Sequence, residues 1–276
     1  MKRVKYSRKN DHIYNEPLSR REVRLLAGWE RARRVSVTID DVRHLVGQAA
    51  NDVIKSLTRK GALQRVKSGV FLVRPFRSLL RPTSMSAVAQ AAALLQSEPY
   101  YLGGAWAFTF HRLTEQQQVS LLDAFVTRRR PSRELGGAHV VFHPIPPRLL
   151  KYGIEEAPIE GMRARVSDVE RTLLDALDHP DVVGGLDRAV ELAAGALPRI
   201  DQARLVEYAV RGSRTSTCQR LGVLLERSGT PARRLTPLHD KAGRTRSLLS
   251  LTPGAPRRGP VNRRWNVVEN DARTPR

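Results

Sequence analysis

Over the first eighty positions the apolar residues recur at spacings that alternate between helical and strand periods. Val23, Leu26 and Ala27 follow Ser19 at helical spacing, and Glu22 three residues after Ser19 completes a capping box, which predicts a helix over 20–34. Val35-Ser36-Val37 reads as a short strand. Thr38 and Asp41 repeat the capping pattern ahead of Val42, Leu45 and Val46, a short second helix that stops at Gly47. A third helix over 48–60 places Ala50, Val53, Ile54 and Leu57 at i, i+3, i+4 and i+7, and Gly61 ends it. Residues 63–66 and 70–73 are strand-like and are joined by Lys67-Ser68-Gly69, a loop that fits a bulged hairpin. Helix, strand, helix, glycine turn, helix and hairpin is the order of a winged helix-turn-helix, here predicted over 17–80.

The remainder of the chain follows a different plan. An alanine-rich helix is expected over 86–97, and Thr114 with Gln117 is read as capping a helix through Leu121, Leu122 and Phe125. Residues 139–143 form a strand closed by Pro144, and Met162, Ala164 and Val166 alternate with Arg163 and Arg165 in another. Ser167 and Glu170 are read as a capping box for a helix carrying Val169, Leu173, Leu174 and Leu177. From 186 to 227 the pattern is helical, broken at Pro198 and Gly212 and ended by Gly229. Residues 247–251 and 265–268 are short strand patterns that can pair and add to the same domain. The fold class expected is α+β: a winged helix-turn-helix, then a larger α+β domain over 83–276 with its helical part last. Residues 1–16 are read as a basic, flexible arm and 74–82 as a basic linker.

Charge sharpens this division. The 276 residues hold 48 Lys and Arg against 27 Asp and Glu, a net of +21. Residues 1–80 carry 19 bases and 7 acids, a net of +12; residues 81–229 carry 18 and 17, a net of +1; residues 230–276 carry 11 and 3, a net of +8. A near-neutral centre between two basic ends is the pattern of nucleic-acid contact by particular segments. Only 8 of the 48 bases are Lys; codon bias accounts for arginine over lysine but not for the missing acids at the two ends. The one cysteine, Cys218, excludes an internal disulfide and reads as a small buried residue. No apolar run approaches the roughly 18 residues a membrane helix needs, and no apolar stretch follows the basic N-terminus as a signal peptide requires. The expectation is a soluble cytoplasmic protein with an anionic partner, double-stranded DNA.

A helix fits the major groove, where Asn and Gln pair with adenine and Arg and Lys with guanine. Gln48 and Asn51 at the front of the third helix are the candidates for base readout, with capping of that helix as the competing role. Lys55 and Arg59, one and two turns on, are placed to meet phosphates, and Arg65, Lys67 and Ser68 in the hairpin to reach the backbone or minor groove. Asp52 either pairs with Lys55 or Arg59 or accepts from cytosine.

The hairpin end Gly69-Val70-Phe71, the run Tyr101-Leu102-Gly103-Gly104-Ala105-Trp106-Ala107, the segment from Glu160-Gly161-Met162 through Ser167-Asp168-Val169-Glu170-Arg171-Thr172-Leu173-Leu174-Asp175, and Arg220-Leu221-Gly222-Val223-Leu224-Leu225-Glu226 together resemble the AbiEi-type antitoxins of bacterial toxin–antitoxin pairs, including the mycobacterial MenA-like branch. The likeness covers most of 38–230. It implies a winged-helix protein that represses its own operon and counteracts a partner nucleotidyltransferase toxin; the helix-turn-helix and wing over 38–73 are expected to bind repeated half-sites, with a dimer on DNA as a possible form. It supplies no catalytic residues, and segments 1–16 and 250–276 have no counterpart in it.

Enzyme readings are weaker on the residues. A Gly-Gly turn such as Gly103-Gly104 serves nucleotidyltransferases, but here Ala105 and Trp106 follow it and no Asp-x-Asp pair comes after; Glu115 and Asp123 stand alone. A magnesium nuclease would draw on Glu155, Glu156, Glu160, Asp168 and Glu170, yet capping explains Asp168 and Glu170. His111, His139, His143 and His179 lack metal-ligand spacing on one helix. The expectation is no enzymatic activity, no cofactor and no metal, with a stand-alone transcriptional regulator as the alternative to an antitoxin and the nuclease a more distant one.

Overall fold

A computed structural model describes residues 17–74, 85–116 and 120–271; the expected arm over 1–16, most of the linker and Gln117 lie outside the described residues. The chain divides into two units, one formed by residues 1–98 with 158–164, the other by 99–157 with 165–276.

In the first unit α1 (Arg20–Arg31) begins at the Ser19–Glu22 capping box expected for it. Its buried stripe, however, is Glu22, Leu26 and Trp29, and Val23 is exposed. β1 (Ser36–Thr38) leads into α2 (Ile39–Val46), capped by Thr38 and Asp41. Of the apolar face expected for α2, Val42 is fully buried while Leu45 is 59% exposed. α3 (Ala50–Arg59) buries Ala50, Val53, Ile54 and Leu57. The hairpin of β2 (Leu63–Lys67) and β3 (Val70–Val73) has its register shift between Arg65 and Lys67, and β1 joins it to make a three-stranded sheet in the order β1-β3-β2. Leu26, Trp29, Val42, Val53, Leu57 and Phe71 meet in one core. α4 (Ala87–Leu95), capped by Ser86, is buried on all sides and clusters with this unit, whereas a boundary at residue 83 assigns it to the later domain. An apolar helix without a polar face has to be covered all round, and part of its cover is the β2–β3 hairpin.

The second unit starts with β4 (Tyr100–Gly103) and α5 (Gly104–Phe110). Residues Leu121–Val126, expected to be helical, form the strand β5. It pairs in parallel with β7 (Ala138–Pro144) along its whole length and antiparallel with β4. A strand buried on both faces reads as a continuous apolar run, and such a run does not fix its own period. With β6 (Arg133–Leu135), β8 (Ile154–Ile159) and β9 (Met162–Ser167), these strands give a mixed sheet in the order β6-β7-β5-β4-β9-β8. The helix after β9, α6 (Val169–Asp178), is capped by Asp168, whose carboxylate accepts from the Arg171 backbone at 2.8 Å. Ser167, expected in that role, is the last residue of β9, and its hydroxyl pairs with that of Thr172.

The helical part comprises α7 (Leu186–Ala196), α8 (Gln202–Gly212), α9 (Thr215–Arg227) and α10 (Ala232–Ala242). The two late strand patterns do pair: β10 (Leu249–Ser250) runs parallel to β12 (Val267–Val268), and β11 (Val261–Asn262) antiparallel to it, as a separate small sheet. That sheet is anchored by Trp265, fully buried, which lies against Gly222 of α9 so closely that a Cβ there would overlap the indole. The architecture is thus α+β. No helix among the described residues is long and apolar enough to cross a membrane.

Candidate nucleic-acid interface

Gly47, at φ +64°, ends α2 and turns the chain directly toward α3. Gln48 falls in the single 3-10 turn over 47–49 and not within the helix itself. With Ala50, Val53, Ile54 and Leu57 facing the core, the opposite side of α3 exposes Asn51, Asp52, Lys55, Thr58 and Arg59, and Gln48 precedes them, also exposed. Residues three and four apart lie above one another on a helix, so Asn51, Lys55 and Arg59 form one row. The side chains of Gln48, Asn51, Asp52 and Lys55 make no hydrogen bond or ion pair with another described residue; neither Gln48 nor Asn51 caps the helix, whose start has no side-chain cap. With its side chains an α-helix is about 10–12 Å across, which matches a groove about 12 Å wide.

The surroundings are electrostatically uneven. Bases near α2 are neutralised: Arg43 pairs with Asp40, and Arg34 with Asp41 at 2.8 Å. Burial opposes ionisation of Asp41, but hydrogen bonds from Thr38 and Arg34 hold its carboxyl below the usual range. In the hairpin Arg65 and Ser68 are exposed and unengaged among the described residues. Lys67 is different: its ammonium donates to the Leu94 carbonyl at 3.0 Å and to Ser97 Oγ at 3.1 Å. Lys67 therefore ties the hairpin to the end of α4, and the candidate contact set narrows to Gln48, Asn51, Lys55, Arg59, Arg65 and Ser68.

Two contacts from α1 fix this row in place. Arg21 donates to the Val46 carbonyl, one of the orphan acceptors at the end of α2. Glu22 Oε2 accepts from the Ser19 backbone at 2.6 Å and from Lys60 Nζ at 2.8 Å. Both members of the ion pair are at least nine-tenths buried. Burial works against the Glu22 charge, but the bonds from Lys60 and Ser19 outweigh it and hold the carboxyl at about 2. The sequence gives Glu22 only its capping role; its place in the i, i+4, i+7 row with Leu26 and Trp29 is the signal that it is also buried.

In the second unit, two of the acids named for a nuclease have structural partners. Asp168 caps α6 and accepts from Tyr208 at 3.1 Å, and Glu170 accepts from the Asp201 backbone at 3.0 Å. Gly104, at φ +66°, lies against the Asp123 carboxylate, which a Cβ would overlap, so the Gly-Gly turn is accounted for by packing. Asp123 in turn accepts from His143 Nε2 at 2.7 Å. Among the described residues no group of three or more His, Cys, Asp or Glu side chains is placed to hold a metal ion. Cys218 is buried, which pushes its thiol up to about 11.

A polar cluster not foreseen from the sequence lies beneath β4. Tyr101 donates to Asp175 at 2.8 Å, and Arg171 donates to Asp175, to Tyr101 and to the Leu149 carbonyl, each at 2.7 Å. Burial opposes the Arg171 charge, but Asp175 raises its pKa further above the ordinary value. A cavity of about 240 Å³ opens beside it, lined by Tyr152, Arg171, Asp175, His179 and Arg214 among others. Arg171 and Asp175 stand at i, i+4 on α6, a spacing that brings them together, but nothing local to them fixes their burial.

The fold and the exposed row define an α+β protein with a small N-terminal unit of helices and a hairpin. Its fold is similar to that in the crystal structure of the Rv2827c protein from Mycobacterium tuberculosis, with a TM-score of 0.61, 17% identity and 92% of each chain covered. At that identity the likeness is one of fold. No family model matches the chain, and no curated protein matches it.

Proposed function

We propose that the protein is a sequence-specific DNA-binding repressor whose first unit is a winged helix-turn-helix, and that it acts as the antitoxin of a toxin–antitoxin pair. The observation that carries the DNA-binding part is the row on α3: Asn51 and Lys55, preceded by Gln48, are exposed and unengaged on a helix whose opposite side is fully packed. Base-reading side chains have to be available in this way, because a group already hydrogen-bonded within the protein cannot pair with a base edge. The +12 charge of residues 1–80 supports the same reading. In it, Gln48 and Asn51 read bases, Lys55 and Arg59 meet phosphates, and Arg65 and Ser68 touch the backbone beside them.

The antitoxin part rests on the resemblance to AbiEi-type antitoxins, and the partner it implies is a nucleotidyltransferase toxin. The motifs carrying that resemblance have structural duties here: Tyr101, Arg171 and Asp175 make the buried cluster, Gly104 lies on Asp123, and Gly222 receives Trp265. They maintain the second unit, to which the antitoxic role is assigned. Two assays in cells test the proposal. A reporter under the chain's own upstream region is expected to be repressed by the full chain and derepressed by Asn51→Ala with Lys55→Ala. Co-expression with a nucleotidyltransferase encoded beside it is expected to restore growth, in the same variant as well. Failure of repression refutes the first part, and failure of protection the second.

A further inference from the structure

The C-terminal basic segment belongs to neither part of this reading. Residues 230–271 hold eight arginines and Lys241 against three acids, Asp240, Glu269 and Asp271. Two of those acids are occupied by one cation: Arg227 donates to Glu269 and Asp271 at 2.6–2.9 Å. Lys241 is also committed, donating to the Ala209 and Val210 carbonyls at the end of α8. Arg264 pairs with Glu226 at 2.9 Å and lies over Trp265. What remains is Arg233, Arg234, Arg244, Arg246, Arg258 and Arg263, all exposed and none with a hydrogen bond or ion pair to another described residue.

These six are not scattered. Arg264 donates to the Ala232 carbonyl, which ties the segment that carries Arg263 to the start of α10, where Arg233 and Arg234 lie. Arg257 donates to the Leu248 carbonyl, which ties the segment that carries Arg258 to the one that follows Arg244 and Arg246. The pairing of β10 with β12 joins the two groups around one small sheet. The start of α10 has no acid and no side-chain cap, so two arginines sit at the positive end of a helix dipole, where they repel it. Guanidinium groups match the planar, bidentate geometry of phosphate.

We infer that α10 and the small sheet form a second, sequence-independent binding surface for the phosphodiester backbone of a nucleic acid. It is distinct from the α3 row and does not depend on it. The test uses the full chain and a variant with Arg233, Arg234, Arg246, Arg258 and Arg263 each changed to Gln. Because none of these side chains is bonded within the described structure, the variant is expected to melt no lower than the parent. Anisotropy is measured from 50 to 300 mM salt on a scrambled 30-bp duplex and on an RNA hairpin of similar length. Each phosphate contact contributes about 0.9 to the slope of log affinity against log salt, so with all five in contact the slope is expected to flatten by about 4.5 and binding at 100 mM salt to weaken at least ~10-fold. Whichever probe loses more affinity in the variant identifies the nucleic acid. Unchanged slopes on both probes overturn the inference. So does loss of binding to poly-glutamate with both nucleic acids retained, which would mark a surface for an acidic protein. The preference for upstream over scrambled duplex is expected to survive the five changes; a parent with no such preference would refute the α3 reading and leave this test intact.

Discussion

Replacing Lys60 with Met removes the ammonium that Glu22 Oε2 accepts at 2.8 Å while keeping most of the side chain that packs around it. The carboxylate left behind is 6% exposed in its side chain. Breaking one half of a buried ion pair costs about 3–5 kcal/mol. The pKa points the same way: a carboxyl moved from 4.5 to about 2 on folding by Lys60 together with the hydrogen bonds from Ser19 and Ser56 corresponds to about 3 kcal/mol at neutral pH for all of them together, at 1.36 kcal/mol per unit. Because the folded value is the lower one, this stability is complete above pH 4.5 and is lost as the pH falls from 4.5 toward 2. A second change, Glu22→Gln, retains an acceptor for the Ser19 backbone but removes the charge. The double variant is therefore expected to recover most of what Lys60→Met loses, to within about 1 kcal/mol of the parent. Hydrogen exchange of the α1 and α3 amides at pH 7 in the full chain reads the effect where it acts. A Lys60→Met chain whose α1 and α3 amides are destabilised by less than about 1 kcal/mol would refute the reasoning, since the pair would then behave like a solvated surface bridge.

Three further outcomes follow from single contacts. Gly222→Ala is expected to lower the melting temperature and perturb tryptophan fluorescence, because the added Cβ overlaps Trp265; on an unobstructed helix the same change stabilises by about 0.5–1 kcal/mol, so the sign decides. Tyr101→Phe leaves acceptor and donor atoms of Asp175 and Arg171 unpaired in a buried cluster and is expected to cost about 1–3 kcal/mol in urea titration. Lys55→Ala is expected to flatten the salt dependence of upstream-duplex binding by about 0.9, whereas Lys67→Met, which cuts the tie to Leu94 and Ser97, is expected to leave it unchanged and to lower stability instead.

Much of the first unit was readable because its signals are local. Both capping boxes, the Gly47 turn, the α3 stripe and the bulged hairpin each depend on residues within a few positions of one another, and each forms, although Lys67 pairs with Val70 and leaves Ser68-Gly69 alone as the turn. Where the reading failed, the deciding contact was distant. Leu121–Val126 becomes a strand because β4 and β7 cover its edges, and nothing within the segment carries that information. Val23 and Leu45 remain exposed because Glu22, drawn inward by Lys60 thirty-eight positions away, sets the rotation of α1, and because the short α2 buries only Val42. The hydrogen bonds of Lys67 were not legible for the same reason: its partners are Leu94 on α4 and Ser97 just past it, beyond the linker. The candidate row fared better than the polar cluster, since exposure of a helix face follows from the stripe opposite it. Burial of Arg171 and Asp175 follows only from the sheet above them.

The most direct test of the central reading is an anisotropy titration of the full chain at physiological salt against two duplexes, one from its own upstream region and one of the same composition scrambled. The upstream duplex is expected to bind tighter by at least ~10³, the lower end of the range for specific recognition. Gln48→Ala with Asn51→Ala is expected to remove about 2–6 kcal/mol of that preference, at 1–3 kcal/mol per base contact, while leaving binding to the scrambled duplex unchanged. Equal affinity of the parent for both duplexes, or a preference untouched by the two substitutions, would contradict the assignment of α3 as the helix that reads DNA.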